Sequence, residues 1–117
     1  MKPPSERQIQ IECVSYFRMK YPECSGVFFA VPNGSARKAW TAKNLKDEGV
    51  LSGVSDLLLL VPRHGFAGLC IEMKKPGGRV SDSQKAFKTA VERFKYKYSI
   101  IYSVDEFKRL MTDYLEK

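Results

Sequence analysis

Asp56 and the run Glu72-Met73-Lys74 are the residues of this chain whose types and spacing point to chemistry. Both lie in apolar runs, Val54-Ser55-Asp56-Leu57-Leu58-Leu59-Leu60-Val61 and Ala67-Gly68-Leu69-Cys70-Ile71-Glu72-Met73-Lys74. Burying an ion costs several kcal/mol unless it is paired or binds a metal, so carboxylates in such runs need a reason. If Pro62-Arg63-His64-Gly65-Phe66 forms a hairpin loop, Val61 faces Ala67 and Asp56 falls opposite Glu72. Opposed residues share a face with Cβ atoms roughly 4.5–5.5 Å apart. Lys74, two residues beyond Glu72, points the same way. A slip of one residue would place the two carboxylates on opposite faces.

Two carboxylates that close repel each other, and one pKa rises. A hard divalent cation, Mg²⁺ or Mn²⁺, relieves the conflict because it takes oxygen ligands. It would also acidify a bound water and neutralise charge on a phosphate, while Lys74 positions or deprotonates that water or stabilises the phosphate oxygens. The chemistry this trio suits is hydrolysis of a phosphodiester. The plain alternative is an ordinary carboxylate–lysine pair at a strand end, and the flanking apolar runs favour the catalytic reading.

The elements that must hold these residues are legible from caps and periodicity. Ser5 and Gln8 make a capping box that opens a helix to about Lys20, with Ile9, Cys13, Tyr16 and Phe17 on one face. Tyr21-Pro22-Glu23 breaks it, and residues 26–31 predict a short buried strand stopped by Pro32-Asn33-Gly34. A helix is expected from about Ala36 to Glu48, ended by Gly49, and the hairpin bearing Asp56 and Glu72 follows. Ser81 and Gln84 form a second capping box for a helix to about Phe94, and residues 97–102 predict the last strand. Ser103 and Glu106 form a third box, before a closing helix with Phe107, Leu110, Met111 and Tyr114 on its apolar face. The order α-β-α-β-β-α-β-α gives an α/β fold with a mixed sheet flanked by helices, including a right-handed parallel crossover between the last two strands.

A chain of 117 residues with 44% hydrophobic content reads as one domain, residues 1–117, with a core of its own. Twenty basic against 13 acidic residues leave +7, which favours a polyanionic partner, nucleic acid or an anionic membrane surface. No segment is long and apolar enough to span a bilayer, and the N-terminus lacks the apolar region of a signal peptide. Cys13, Cys24 and Cys70 form no CxxC pair, which argues against a zinc site or disulfide framework. A soluble cytoplasmic protein, of a bacterium or a phage-infected cell, is expected.

The aspartate, fifteen intervening residues, then Glu72-x-Lys74, resembles the PD-(D/E)xK nuclease signature, which is short and arises by chance fairly often. The wider pattern is more specific: a first helix bearing Glu12, then Pro32-Asn33-Gly34, Gly53-Val54-Ser55-Asp56, Ile71-Glu72-Met73-Lys74, and Gly78-Arg79-Val80-Ser81 leading to Gln84. Over nearly the whole chain this resembles the virus-type replication-repair nuclease (VRR-NUC) family. The resemblance implies a restriction-endonuclease-like fold and divalent-metal-dependent cleavage of DNA. It implies that Asp56, Glu72, the Met73 backbone carbonyl and Glu12 hold the metal, that Lys74 is the catalytic lysine, and that Gln84 orients water or phosphate. The chain's minimal length is similar to stand-alone phage and bacterial members, which implies a homodimer acting on four-way (Holliday) junctions. Two active sites related by a two-fold axis suit symmetric cutting of such a junction. The chain departs from the pattern at Ser55, where many members have proline, and at Lys95-Tyr96, where a Gly-Tyr pair is expected.

Other residues divide between binding and plain structure. Lys75 and Arg79, with Gly77-Gly78 and the N-terminus of a helix beside them, suit contact with DNA phosphates. Arg37, Lys38, Lys43 and Lys46 form a basic helix face that either tracks a phosphate backbone or is simply solvated. Trp40 and Phe28-Phe29 read as core or dimer interface. His64 falls in the hairpin loop, roughly 20 Å or more from the carboxylates, and reads as an exposed loop residue. Two further readings compete with junction cleavage: a restriction-like, flap or nicking nuclease, and a non-catalytic DNA-binding module, which would need no desolvated carboxylate pair.

Overall fold

The structure, a computed structural model, describes residues 2–32 and 39–117, with side chains of residues 39–42 not described. Helix α1 (Glu6–Lys20) is followed by a 3₁₀ segment (Pro22–Val27), strand β1 (Phe28–Ala30), helix α2 (Ala39–Asp47), strands β2 (Leu57–Leu59) and β3 (Leu69–Met73), helix α3 (Asp82–Arg93), strand β4 (Lys97–Ile101) and helix α4 (Val104–Leu115). The expected α/β order holds, with a mixed sheet in the order β1-β2-β3-β4. β1, β2 and β3 run antiparallel in turn, and β4 lies parallel to β3 as the crossover through α3 requires.

The caps act as the sequence predicts, with one difference. Ser5 accepts from the Gln8 amide while the Gln8 side chain accepts from the Ser5 N–H, and Ser81 and Gln84 repeat the exchange. At α4, Ser103 accepts from the Glu106 amide, but the Glu106 carboxylate reaches the Tyr102 N–H instead. The third box is therefore displaced by one residue. The strand expected over residues 26–31 shrinks to three residues because Pro22 starts a 3₁₀ turn, closed by the Cys24 amide on the Tyr21 carbonyl. α2 ends where expected, with Gly49 at φ +100°. Asn33, Gly34, Arg37 and Lys38 lie outside the described residues, as does the Trp40 side chain.

α1 and α4 pack together over one face of the sheet. Ile9, Cys13 and Phe17, four residues apart, turn one stripe of α1 inward to meet Leu57, Leu59, Leu69, Ile71, Met73, Phe107 and Met111. Phe17 stacks on Phe28 at 3.9 Å between ring centroids. Each such apolar side chain taken out of water contributes about 1.5–3 kcal/mol before entropy is counted. Cys13 and Cys70 are buried as expected, and burial pushes the Cys13 thiol up to about 12. Phe29 is exposed.

The hairpin register is the one the sequence predicts. Leu57 pairs with Ile71, Leu58 with Cys70 and Leu59 with Leu69, which sets Asp56 level with Glu72. The loop turns tightly at His64 (φ 56°) and Gly65 (φ +83°), with Arg63 and Phe66 bridged. His64 is exposed, and its Nε2 lies 3.0 and 3.1 Å from the carbonyls of Asp113 and Tyr114, while the Tyr114 hydroxyl donates to the Val61 carbonyl at 2.7 Å. The histidine and tyrosine thus tie the loop to the end of α4. Among the described residues, no helix is long and apolar enough to cross a membrane.

Candidate active site

β3 is buried on both faces, and its side chains alternate between two environments. Leu69, Ile71 and Met73 enter the apolar core, whereas Cys70 and Glu72 face the side covered by α3. Glu72 is 2% exposed and Lys74, just past the strand, is 9% exposed. The Lys74 ammonium lies 3.7 Å from Glu72 Oε2, and the Gln84 side-chain amide donates to the same oxygen at 2.8 Å. Glu72 Oε1 is fully buried and has no hydrogen-bond partner.

Asp56 is fixed by backbone. Its Oδ2 accepts from the Met73 N–H at 2.7 Å, and its own carbonyl accepts from the Val31 amide at 2.9 Å. The loop that delivers it is set by Gly53, at φ +84°, which lies so close to the Ser83 carbonyl that a Cβ would collide with backbone. One contact therefore locks the Asp56 loop to the first turn of α3, which carries Gln84. Ser55, at the position where proline was expected, is buried and donates to the Leu57 carbonyl at 3.3 Å.

Gln84 caps α3 as expected and also reaches the buried carboxylate. Its Oε1 accepts from the Ser81 N–H while its Nε2 donates to Glu72, because the two ends of the amide face opposite partners. The capping box thereby orients the group that holds the buried carboxylate.

The Glu72 carboxyl is pushed up from the ordinary carboxylate range to about 8, by burial first and then by the charge and hydrogen bonding of Asp56. Lys74 offsets this in part, and Glu6 adds to it. Tyr98, on β4 beside Cys70, has a buried hydroxyl without a partner, and it too is raised, by burial and then by Glu72 and Asp56. A buried carboxylate oxygen with no donor, beside a second carboxylate, is what a hard cation would satisfy. Among the described residues no three His, Cys, Asp or Glu side chains converge as a metal cluster. The donor set is therefore the carboxylate pair of Asp56 and Glu72, whose oxygens fit Mg²⁺ or Mn²⁺.

Glu12 does not belong to this group. It is exposed on α1, roughly 120° around the helix axis from Glu6. Glu6 is the helical glutamate at the site: its carboxylate accepts from the Lys75 N–H at 3.3 Å and lines a cleft of about 670 Å³ with Asp56 and Met73. Lys75 and Arg79 are exposed on the loop between β3 and α3. Lys43 is exposed on α2 and paired with Asp47 at 3.4 Å, one turn away.

The family model for the VRR-NUC domain matches residues 5–105. A solved structure described as a VRR_NUC domain protein is similar at a TM-score of 0.86, over 99% of this chain and 92% of that one, with 19% identity. At that identity the likeness speaks for the fold. No curated protein matches the chain.

Proposed function

The chain belongs to the VRR-NUC family, nucleases of the PD-(D/E)xK type, and on that premise we propose that it is a divalent-metal-dependent DNA endonuclease. The observation that carries this reading is the buried Glu72, unpartnered at Oε1 and level with Asp56, with Lys74 at 3.7 Å. Asp56, Glu72 and the Met73 carbonyl would hold the cation. When bound, Mg²⁺ or Mn²⁺ supplies charge neutralisation at the phosphate and a more acidic water.

The remaining work falls to the chain's own groups. Glu72 gives up the proton that burial favours before it can act as a ligand. Gln84, anchored by the Ser81 cap, keeps the Glu72 carboxylate from rotating. Lys74, drawn toward the site by Glu72, places a positive charge where the phosphate oxygens accumulate negative charge and where an attacking water must be aligned. Lys75 and Arg79 hold the flanking phosphates, supported by Lys43 and by Arg37 and Lys38.

The substrate in this reading is branched DNA, cut as a four-way junction by a homodimer, in the cytoplasm. The net charge of +7 supports a polyanionic substrate, and a two-fold dimer supplies the paired sites that symmetric cutting needs. The test is cleavage of matched junction, flap, duplex and single-stranded DNA with Mg²⁺, Mn²⁺ or EDTA, beside Lys74→Ala. Paired symmetric cuts in the junction, lost with EDTA and in the variant, are expected. Equal cutting of plain duplex would replace the junction reading with a general nuclease, and binding without cutting in either metal would refute the enzyme.

A further inference from the structure

Glu6, Asp56 and Met73 line part of the cleft beside α1, and the rest of that cleft has no part in the proposed chemistry. Its wall is the helix itself, through Arg7, Gln10, Ile11, Val14, Ser15 and Arg18. Arg7, Ile11, Val14 and Arg18 follow one another in steps of four, three and four residues, so they form one stripe along the helix. Ile11 is 49% exposed. Among the described residues, neither Arg7 nor Arg18 takes part in an ion pair.

The polarity of this cleft is divided. Glu6 and Asp56 make the end beside Met73 acidic, where a cation would sit, and two unengaged guanidinium groups make the remainder basic. We infer that the α1 groove is a track for one strand of the DNA substrate, with Arg7 and Arg18 each holding a backbone phosphate and Ile11 and Val14 lying under the sugars or bases between them. This inference rests on the nuclease reading and adds the path by which the substrate leaves the scissile phosphate.

Dimensions and charge support a nucleic acid over a protein partner. At 1.5 Å per residue, Arg7 and Arg18 stand about 16 Å apart along the helix, the length of about five nucleotides at 3.4 Å per phosphate of one strand. Guanidinium forks match phosphate oxygens in pairs. Two aliphatic side chains between two arginines supply a small part of the roughly 800 Å² per partner that a stable subunit interface buries. Asp56, one of the proposed cation ligands, is part of the lining of this cleft, so a strand lying in it would pass beside that carboxylate.

The test is fluorescence anisotropy of a labelled single-stranded oligonucleotide and a labelled junction, in EDTA, across a salt series. The unsubstituted chain is compared with R7A/R18A, Arg18→Lys and Ile11→Glu. All of these positions face solvent, and thermal midpoints and Mn²⁺ titration check that fold and metal site are intact. R7A/R18A is expected to bind at least tenfold more weakly. Its slope of log affinity against log salt should be shallower by about 1.4–1.8, since two phosphate contacts at 0.7–0.9 each are removed. Ile11→Glu should weaken binding in the same direction, and Arg18→Lys should retain most of it.

Unchanged affinity and slope in R7A/R18A, with wild-type cleavage, would overturn the track. So would an Ile11→Glu variant that converts a dimer to monomers in sedimentation velocity while binding DNA normally, because the groove would then be a subunit contact. Failure of the wild-type chain to bind or cut any DNA would instead remove the nuclease reading on which the inference rests.

Discussion

The two faces of β3 are equally buried and chemically opposite. Leu69, Ile71 and Met73 join residues of α1 and α4 in the hydrophobic core. One residue out of phase, Cys70 and Glu72 are as inaccessible, yet Glu72 keeps a carboxylate oxygen without a donor and Tyr98 keeps a hydroxyl without a partner. The first face is where the strand gains stability from burial. The second buries an ionisable carboxyl that folding alone does not need, and burial raises its pKa. Burial of β3 therefore serves two ends, and substitutions on its two faces should separate stability from activity.

The sharpest break in the comparison sets Glu72→Gln against Ile71→Ala. Glu72→Gln should lower cleavage by about 10³-fold, the scale of losing a group that acts in the transition state, with thermal stability unchanged or higher. Ile71→Ala should lose about 2–5 kcal/mol of stability in denaturant titration, through the cavity it leaves, while the folded fraction still cleaves. A Glu72→Gln variant that unfolds as readily as Ile71→Ala would erase the distinction between the faces.

pH should act on one face alone. The Glu72 carboxyl is raised from 4.5 to about 8, so the folded chain holds a proton that the unfolded chain releases. Its contribution to stability is fully present below 4.5 and is lost as pH rises through about 8. Metal-free protein should therefore lose on the order of a few kcal/mol across that window, and Glu72→Gln should flatten the loss. Denaturant midpoints in EDTA at stepped pH measure it.

Gln84 joins the buried carboxylate to a helix cap, so Gln84→Ala should show both effects at smaller size. About 1 kcal/mol of stability goes with the cap, and roughly 10–100-fold of metal affinity or activity goes with the loss of the Glu72 contact. Loss of stability alone would reduce Gln84 to a cap. The smallest effect concerns Lys95, held at φ 72°, a left-handed conformation that glycine adopts without cost. Lys95→Gly should stabilise by about 0.5–1 kcal/mol in the same titration and leave cleavage unchanged.

Much of this was legible in the sequence because it depends on neighbours along the chain or across one hairpin. Residue parity and loop length set the register that levels Asp56 with Glu72, and Ser–Gln spacing marked the starts of α1 and α3. Glycine was expected at position 95, and the backbone there has the conformation that explains the expectation. The first helix is where the reading failed. Periodicity identified the inward stripe of Ile9, Cys13 and Phe17, and Glu6, three residues before Ile9 and seven before Cys13, continues that stripe at the start of the helix. Glu12 stands about 100° around the axis from the middle of that stripe, so the helical period itself favours Glu6 over Glu12. Tyr98 was missed for a different reason: its place beside Glu72 follows from a parallel pairing whose register no turn dictates.

The central claim is that the polar face of β3 is a cation site held protonated until the ion arrives. Calorimetric titration of Mn²⁺ into the metal-free protein at pH 7, in two buffers of different ionisation enthalpy, tests it directly. Saturable binding with release of about one proton, lost in Glu72→Gln, is expected, because the ligand must shed the proton that burial favours. Binding with no proton release, or binding that survives Glu72→Gln unchanged, would contradict it.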